Sequence, residues 1–143
     1  MQIIPYQCLY LQYRSLEDWR EKRDILRCNP QFQGGARYDC VVINTSPISF
    51  GRLQALFTCR DIDKKEQTVA MVSLFQPSSW KPRTSWDGCC VFEERGYSFV
   101  FPDYLVRGCH MIPAFDTPGK YHLNDMVDGD AFIRFYLQDR LHG

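Results

Sequence analysis

The chain has 143 residues, of which 45% are hydrophobic and 15% aromatic, and its 17 basic and 17 acidic side chains leave no net charge. This composition excludes a disordered polyelectrolyte and a protein that binds nucleic acid through bulk positive charge. One compact domain over residues 1–143 is expected at this length. Residues 1–60 carry 8 basic and 5 acidic side chains, whereas residues 61–143 carry 9 and 12. A local basic patch is therefore to be sought in the first part of the chain.

The cysteines indicate a reducing compartment. They number seven, which is odd, no C-x-x-C pair is present, and no secretory signal is visible, so buried thiols that act as small hydrophobes are expected. No apolar run approaches the roughly 18 residues that a membrane-spanning helix needs. We therefore expect an intracellular protein that does not contact membranes. If its partner is nucleic acid, the expected location is the nucleus.

Residues 1–28 are expected to form an N-terminal segment of strand and helix. Ser15 resembles a helix N-cap with Asp18 three residues later, a variant of the capping box. Asn29-Pro30 would end this helix near Arg27. The pattern therefore predicts a helix over about Ser15–Arg27.

On such a helix the 3.6-residue period separates an apolar line from a basic stripe. Trp19 and Leu26 fall on the apolar line with Leu16, and the basic stripe consists of Arg20, Arg23 and Arg27. Two interpretations remain open. The helix is either a solvated amphipathic helix packed by Trp19 and Leu26, or its stripe faces phosphates or acidic groups.

Residues 38–136 are expected to form the body of a small barrel, after a loop over residues 29–37 that contains Pro, Asn and Gly-Gly. Short apolar or alternating runs between turn residues predict strands over Tyr38–Asn44, Ser49–Arg60, Thr68–Gln76, Cys89–Phe92, Tyr97–Phe101, Tyr104–Ile112 and Ala131–Tyr136. Leu56 breaks an otherwise regular alternation in the second run. The predicted fold is α+β and mostly β: a strongly bent β-barrel with one N-terminal helix.

Catalytic motifs are missing from the sequence, which contains no G-x-S-x-G, P-loop or G-x-G-x-x-G. We therefore expect no enzyme and no cofactor. The weak exception is the segment NDMVDGD, in which a metal site would use Asp125, Asp128 and Asp130. Met126 and Val127 interrupt the alternating oxygen ligands of a calcium loop. A tight Asp128-Gly129 turn between strands is the favoured alternative.

An aromatic and basic loop over residues 75–86 is a second candidate for binding. Its side chains suit two tasks, which are stacking on bases between phosphate contacts and forming an aromatic wall for a methylated lysine. Alternatively, its tryptophans plug the open end of the barrel. The residues concerned are Trp80, Lys81, Arg83 and Trp86.

Five short blocks follow one another along the chain, after an upstream R-C-N-P-Q-F element (Arg27–Phe32). They are R-Y-D-C-V-V-I-N (Arg37–Asn44), F-G-R-L-Q-A-L-F (Phe50–Phe57), A-M-V-S-L-F-Q-P (Ala70–Pro77), V-R-G-C (Val106–Cys109) and N-D-M-V-D-G-D-A-F-I-R (Asn124–Arg134). Together they resemble a C-terminal domain of fungal transposon-encoded proteins of the Plavaka and Kyakuja–Dileera–Zisupton kind. The corresponding family blocks read RYDxVxIN, FARLxxLF, ALVxPF, IRGAxL and NDLVDxDMFLR.

This resemblance implies an accessory domain beside a transposase core, since nothing here resembles the RNase-H-like part that carries the catalytic carboxylates. Gly51 stands where the family has a small Ala. The middle strands also resemble a bromo-adjacent-homology module or another SH3-like chromatin module, which implies a barrel of that kind.

The combined expectation is a non-catalytic module that binds nucleic acid or chromatin. Electrostatic positioning is assigned to Arg20, Arg23, Arg27, Arg37 and Arg52, and aromatic contacts to Trp80 and Trp86. A peptide-binding module that uses the aromatic loop or a sheet edge is the first alternative. A metal-dependent nuclease is the second.

Overall fold

The structure is a computed structural model that describes residues 2–77, 91–114, 117–124 and 128–137. Strands make up 67% of this part of the chain and helix 9%, which confirms the mostly β prediction. The strands are β1 (Gln2–Tyr6), β2 (Cys8–Arg14), β3 (Glu21–Phe32), β4 (Gly35–Tyr38), β5 (Cys40–Ile43), β6 (Ser49–Arg60), β7 (Glu66–Pro77), β8 (Val91–Val100), β9 (Leu105–Cys109), β10 (Met111–Pro113) and β11 (Lys120–Leu123). A 3-10 turn spans Pro102–Tyr104, and helix α1 (Gly129–Ala131) continues as a π-helical turn over Phe132–Leu137.

Eight strands form the main sheet, which is nearly closed and barrel-like. Its order is β10-β11-β8-β7-β6-β5-β9, and β1 pairs with the second half of β6. The terminal strands of this order, β9 and β10, are separated along the chain only by His110. Strands β2, β3 and β4 form a separate antiparallel sheet, which we call the small sheet.

The main sheet has a hydrophobic core on each face. The first core lies between the main and small sheets and contains Val41, Leu53 and Val72 together with Leu11 and Leu26 of the small sheet. The second core lies on the opposite face of the main sheet, where the C-terminal helical segment packs its Phe135 among the side chains of Val42, Phe50, Phe75 and Phe92. The four residues of β5 are all buried because alternate side chains enter opposite cores.

A β-bulge explains why Leu56 interrupts the alternation in β6. The pairing of β6 with β7 shifts register between Leu53 and Ala55, and an extra residue in one strand reverses which face the following side chains occupy. Leu53 and Leu56 therefore both lie in the first core. Thr58 continues this buried face and shares a hydrogen bond of 2.9 Å with Thr68.

The predicted helix over Ser15–Arg27 is wrong, because these residues form the turn and the second strand of a hairpin. Ser15 does act as a local cap, since its Oγ accepts a hydrogen bond from the amide of Glu17. The chain then reverses, and the amide of Ser15 donates to the carbonyl of Arg20. Residues 21–28 also alternate with a period of two, and in this conformation Leu26 and Cys28 enter the first core.

The predicted loop over residues 29–37 is also wrong, because strands β3 and β4 extend through most of it. They are joined at Gln33 and Gly34, whose φ values of 48° and 86° suit the two-residue turn typical of β-hairpins. The gap between the strands that were predicted to end at Phe92 and to begin at Tyr97 is a bulge within the single strand β8. At this bulge Arg95 and Gly96 both lie opposite Leu74.

The C-terminal strand predicted over Ala131–Tyr136 is helical instead. Asp128 does not make a hairpin turn but caps α1, and its side chain accepts a hydrogen bond from the amide of Ala131. A helix satisfies its own backbone hydrogen bonds, so Phe135 can enter the second core without a partner strand. In the part of the chain that the structure describes, no helix is long and apolar enough to cross a bilayer.

Candidate functional site

The outer face of the small sheet gathers arginines around two exposed apolar side chains. Cross-strand partners in a sheet point to the same face, and the register pairs Tyr10 with Ile25, Gln12 with Arg23, Cys8 with Arg27, and Asn29 with Arg37. The alternate residues of β3, Leu26 and Cys28, are buried beneath. We call the outer surface the arginine face, and it comprises Tyr10, Arg14, Arg23, Ile25, Arg27 and Arg37.

Positive charge dominates the arginine face. Two acidic groups border it: Glu21 lies opposite Arg14 with 3.9 Å between the charged groups, and Asp39 lies 3.0 Å from the Nε of Arg37. Both side chains of the Arg14–Glu21 pair are largely exposed, so this pair contributes little to stability. Tyr10, which lies on the edge strand β2 of the small sheet, is 74% exposed. The face is therefore a mainly cationic surface with an exposed aromatic residue on its edge strand.

The β2–β3 turn places a second aromatic side chain beside a further arginine. Trp19, which precedes Arg20, is 67% exposed and has a φ of 62°. This left-handed conformation costs a bulky side chain free energy and, when observed, suggests a functional constraint. The prediction that Trp19 packs into the core is wrong, and Trp19 instead extends the aromatic surface available at this end of the hairpin.

Two carboxylates bind backbone and side-chain donors at the junction of the small and main sheets. Asp24 accepts hydrogen bonds from the amides of Ile25 and Gly108, and Asp39 accepts from the amide of Arg27 and the Nε of Arg37. They line a polar cavity of about 170 Å³ between β3 and β9. These acidic groups therefore satisfy backbone donors on strand edges and fix the position of β3 and β4.

Arg52 does not join the arginine face. It lies in β6 on the main sheet, half-buried, with its Nη1 2.6 Å from Glu94. Its guanidinium stacks 5.5 Å from the ring centre of Phe75 and 5.1 Å from that of Tyr121. Glu94 also accepts a hydrogen bond from Ser73. Arg52 thus closes an internal polar network beside the second core.

Asp128 and Asp130 are both bound by arginines. Arg107 donates to both carboxylates at 2.8–3.0 Å, and Arg134 donates to Asp130 at 2.9 Å. Asp130 also accepts from the amide of Leu16. This cluster, which we call the clasp, ties the C-terminal helical segment to β9 and to the turn before β3; Arg107 and Asp130 are buried in it and Asp128 is exposed at its edge.

The clasp shifts the pKa of its members. The hydrogen bonds from Arg107 lower the pKa of Asp128 below its ordinary value. Burial raises the pKa of Asp130, but the hydrogen bonds from Arg134, Leu16 and Arg107 outweigh burial and leave that pKa lowered. The same carboxylates raise the pKa of Arg107 against the effect of its burial. Both carboxylates therefore stay charged at neutral pH, and no cluster of three metal-ligating side chains occurs among the described residues.

The cysteines within the described ranges, five in number, are free thiols. Cys28, Cys40 and Cys109 are buried, as predicted, and burial raises the pKa of each. Cys8 and Cys59 are half-buried. The buried three therefore act as small hydrophobic side chains.

Several sequence-predicted site residues lie outside the described residues, namely Trp80, Lys81, Arg83, Trp86 and Asp125. Three of the predicted binding residues, Arg23, Arg27 and Arg37, share one face of the small sheet. Tyr10, Arg14 and Ile25 were not predicted from the sequence, because no strand pair was assigned to residues 8–28. The available signal was the alternation of Tyr10 and Gln12 with Leu9, Leu11 and Tyr13.

Comparison with known proteins does not identify the chain, since no family model, no curated protein and no solved structure matches it.

Proposed function

We propose that this protein is a non-catalytic module that binds single-stranded nucleic acid through the arginine face. The observation that carries the proposal is the register of the small sheet, which places Arg23 and Arg27 diagonally beside the exposed Tyr10 and puts Arg37 on the same face of β4. The resemblance to transposon-encoded proteins supports an accessory role beside a transposase, and a nuclear location follows from such a role.

The shape of the surface favours single strands over duplexes. Reading a duplex requires an element that enters a groove, such as a helix or a two-stranded ribbon, whereas the outer face of a sheet offers a broad platform. Unstacked bases can lie on aromatic rings and guanidinium planes while neighbouring cations contact phosphates. Tyr10 and Trp19 provide the rings. Arg23 and Arg27 lie diagonally across from Tyr10 on β3, whereas Arg14 lies at the turn end of β2 and Arg20 follows Trp19 in the chain.

The proposal predicts a salt-dependent affinity that specific variants weaken. Single-stranded and duplex oligonucleotides are titrated into the full chain at several salt concentrations. Arg23→Gln/Arg27→Gln should reduce the slope of log affinity against log salt by about 0.7 for each phosphate that the variant no longer neutralises. Tyr10→Ala should cost roughly 1–3 kcal/mol for the base that it stacks on. Fluorescence anisotropy measures both effects.

A matched control removes the same charge elsewhere. Arg60→Gln/Arg95→Gln changes two exposed arginines that pair with Glu66 and Glu93 on the main sheet, so its affinity and salt slope should equal those of the unaltered chain. No measurable binding at low salt would contradict the proposal. An equal loss in the control variant would contradict the location of the site.

A further inference from the structure

An uncovered apolar surface lies on the main sheet, on the face opposite the small sheet. It is built from β1 and the adjoining parts of β6, β7 and β8, and we call it the apolar lobe. The register pairs Phe57 with Val69 and Met71 with Phe99, and the alternation from Phe99 brings Tyr97 to the same side. Ile3 lies opposite Cys59 on the neighbouring strand pair.

Large side chains of the apolar lobe are exposed. The exposed fraction is 67% for Phe99, 61% for Ile3 and 46% for Phe101. The rings of Phe57 and Phe99 meet edge to face at 6.3 Å and border a groove of about 400 Å³ that Val69 and Phe101 also line. The other half of this sheet face, around Phe50 and Phe75, is covered by the C-terminal helical segment. Among the residues that the structure describes, one half of this face is therefore buried and the other half is exposed.

We infer that the apolar lobe is a homodimer interface, with a second copy of this chain as its occupant. A two-fold interface brings a surface patch against itself and so requires self-complementarity. The apolar lobe has both parts of such a fit, since it carries a groove between Phe57 and Phe99 and projecting side chains, Tyr97 and Ile3, on the same face.

The charge around the apolar lobe and the area that it exposes are both compatible with a second copy of the chain. The side chains that form the lobe are uncharged, and the adjacent β6–β7 loop carries two acidic and two basic residues, Asp61, Asp63, Lys64 and Lys65, so two copies do not repel each other. With about 200 Å² for a fully exposed aromatic side chain, the exposed parts of Tyr97, Phe99, Phe101 and Ile3 amount to roughly 500 Å². Two copies bury about twice this area, which is near the lower limit for a specific interface and corresponds to a weak, reversible dimer.

Sedimentation equilibrium of the full chain over a wide concentration range tests the inference. The average mass should rise from monomer towards dimer with concentration. Phe99→Ser should lower the association constant at least about tenfold, since central aromatic side chains dominate small interfaces. Ile3→Glu should also weaken association, because it places like charges across the two-fold axis. Thermal melting confirms that each variant is folded.

The control for this experiment is Tyr10→Ser, which removes an equally exposed aromatic side chain from the arginine face and should leave the association constant unchanged. This variant separates the two proposals, because it affects nucleic-acid binding and Phe99→Ser affects self-association. A chain that stays monomeric at all concentrations overturns the inference. The apolar lobe would then bind a different protein, such as an extended peptide that pairs with the edge of β1. Larger aggregates that Phe99→Ser does not reduce also overturn it.

Discussion

Gly51 shows how a single position is determined by the closeness of two strands. A Cβ atom at Gly51 would lie 3.0 Å from the carbonyl oxygen of Ser73 and 3.2 Å from the Cβ of Val72 on the neighbouring strand. These atoms belong to or adjoin the backbone of β7, so they cannot move away without shifting the strand. An alanine at this position therefore does not fit the chain without adjustment.

We expect Gly51→Ala to lower the free energy of unfolding by about 2 kcal/mol, because the added methyl group overpacks the interior. Gly35→Ala is the matched control, since nothing lies within 4 Å of a Cβ atom there, and its stability should change by less than about 0.5 kcal/mol. Urea denaturation of both variants measures the difference. Equal stabilities would show that β6 and β7 can move apart more easily than this packing implies.

The β2–β3 hairpin shows why one element was assigned to the wrong class. Ser15, Asp18 and the spacing of three arginines agree with a helix start, but residues 21–28 also alternate with a period of two. A helix of this length has marginal stability by itself, so tertiary contacts decide. As a strand, β3 buries Leu26 and Cys28 and its Asp24 bonds the backbone of Gly108.

At the end of this hairpin, Trp19→Gly is expected to separate stability from function. Glycine adopts the left-handed conformation freely, so the free energy of unfolding should stay the same or rise by up to about 1 kcal/mol. Affinity for single-stranded nucleic acid should fall nonetheless, since an exposed ring is removed. Thermal melting and anisotropy titrations measure the two effects. A loss of stability with unchanged affinity would assign Trp19 a structural role instead.

At the scale of the whole molecule, the clasp joins three distant parts of the chain. Arg107 of β9 and Asp130 of α1 are each more than 90% buried in their side chains, and Leu16 reaches the same carboxylate from the turn before β3. Removing one partner of a buried ion pair leaves the other charge without compensation. The clasp is therefore the place where a small chemical change should affect the stability of the entire fold.

Acidification should destabilise the protein through the clasp. Because the pKa values of Asp128 and Asp130 are lowered in the folded chain, their contribution is complete above the unfolded value of about 4 and is lost as the pH falls through the folded values. Asp130→Asn should lower the free energy of unfolding by about 3 kcal/mol at neutral pH. In this variant the free energy of unfolding should also fall less steeply as the pH is lowered below about 4. Urea denaturation across this pH range measures both.

Asp63→Asn is the control for this experiment, because Asp63 is exposed in the β6–β7 loop, and its stability profile should match that of the unaltered chain. If Asp130→Asn declined as steeply as the unaltered chain below pH 4, other carboxylates would account for the acid sensitivity.

The sequence by itself determined the mostly β class, the bounds of β6, the position of β7 to within two residues at its start, and the burial of three thiols. These features depend on local alternation and on turn residues, which a short window records. It also placed Arg23 and Arg27 on one surface, because a spacing of four residues shares a face in a strand as well as in a helix.

Only the tertiary structure decided which faces are covered. It separated Arg52 from the other arginines, paired Asp128 and Asp130 with Arg107, and left Phe99 exposed while Phe75 is buried. A local pattern indicates which side chains point the same way but not what lies opposite them. That depends on strand pairing and on contacts between residues more than a hundred positions apart, such as Leu16 and Asp130, which no local pattern contains.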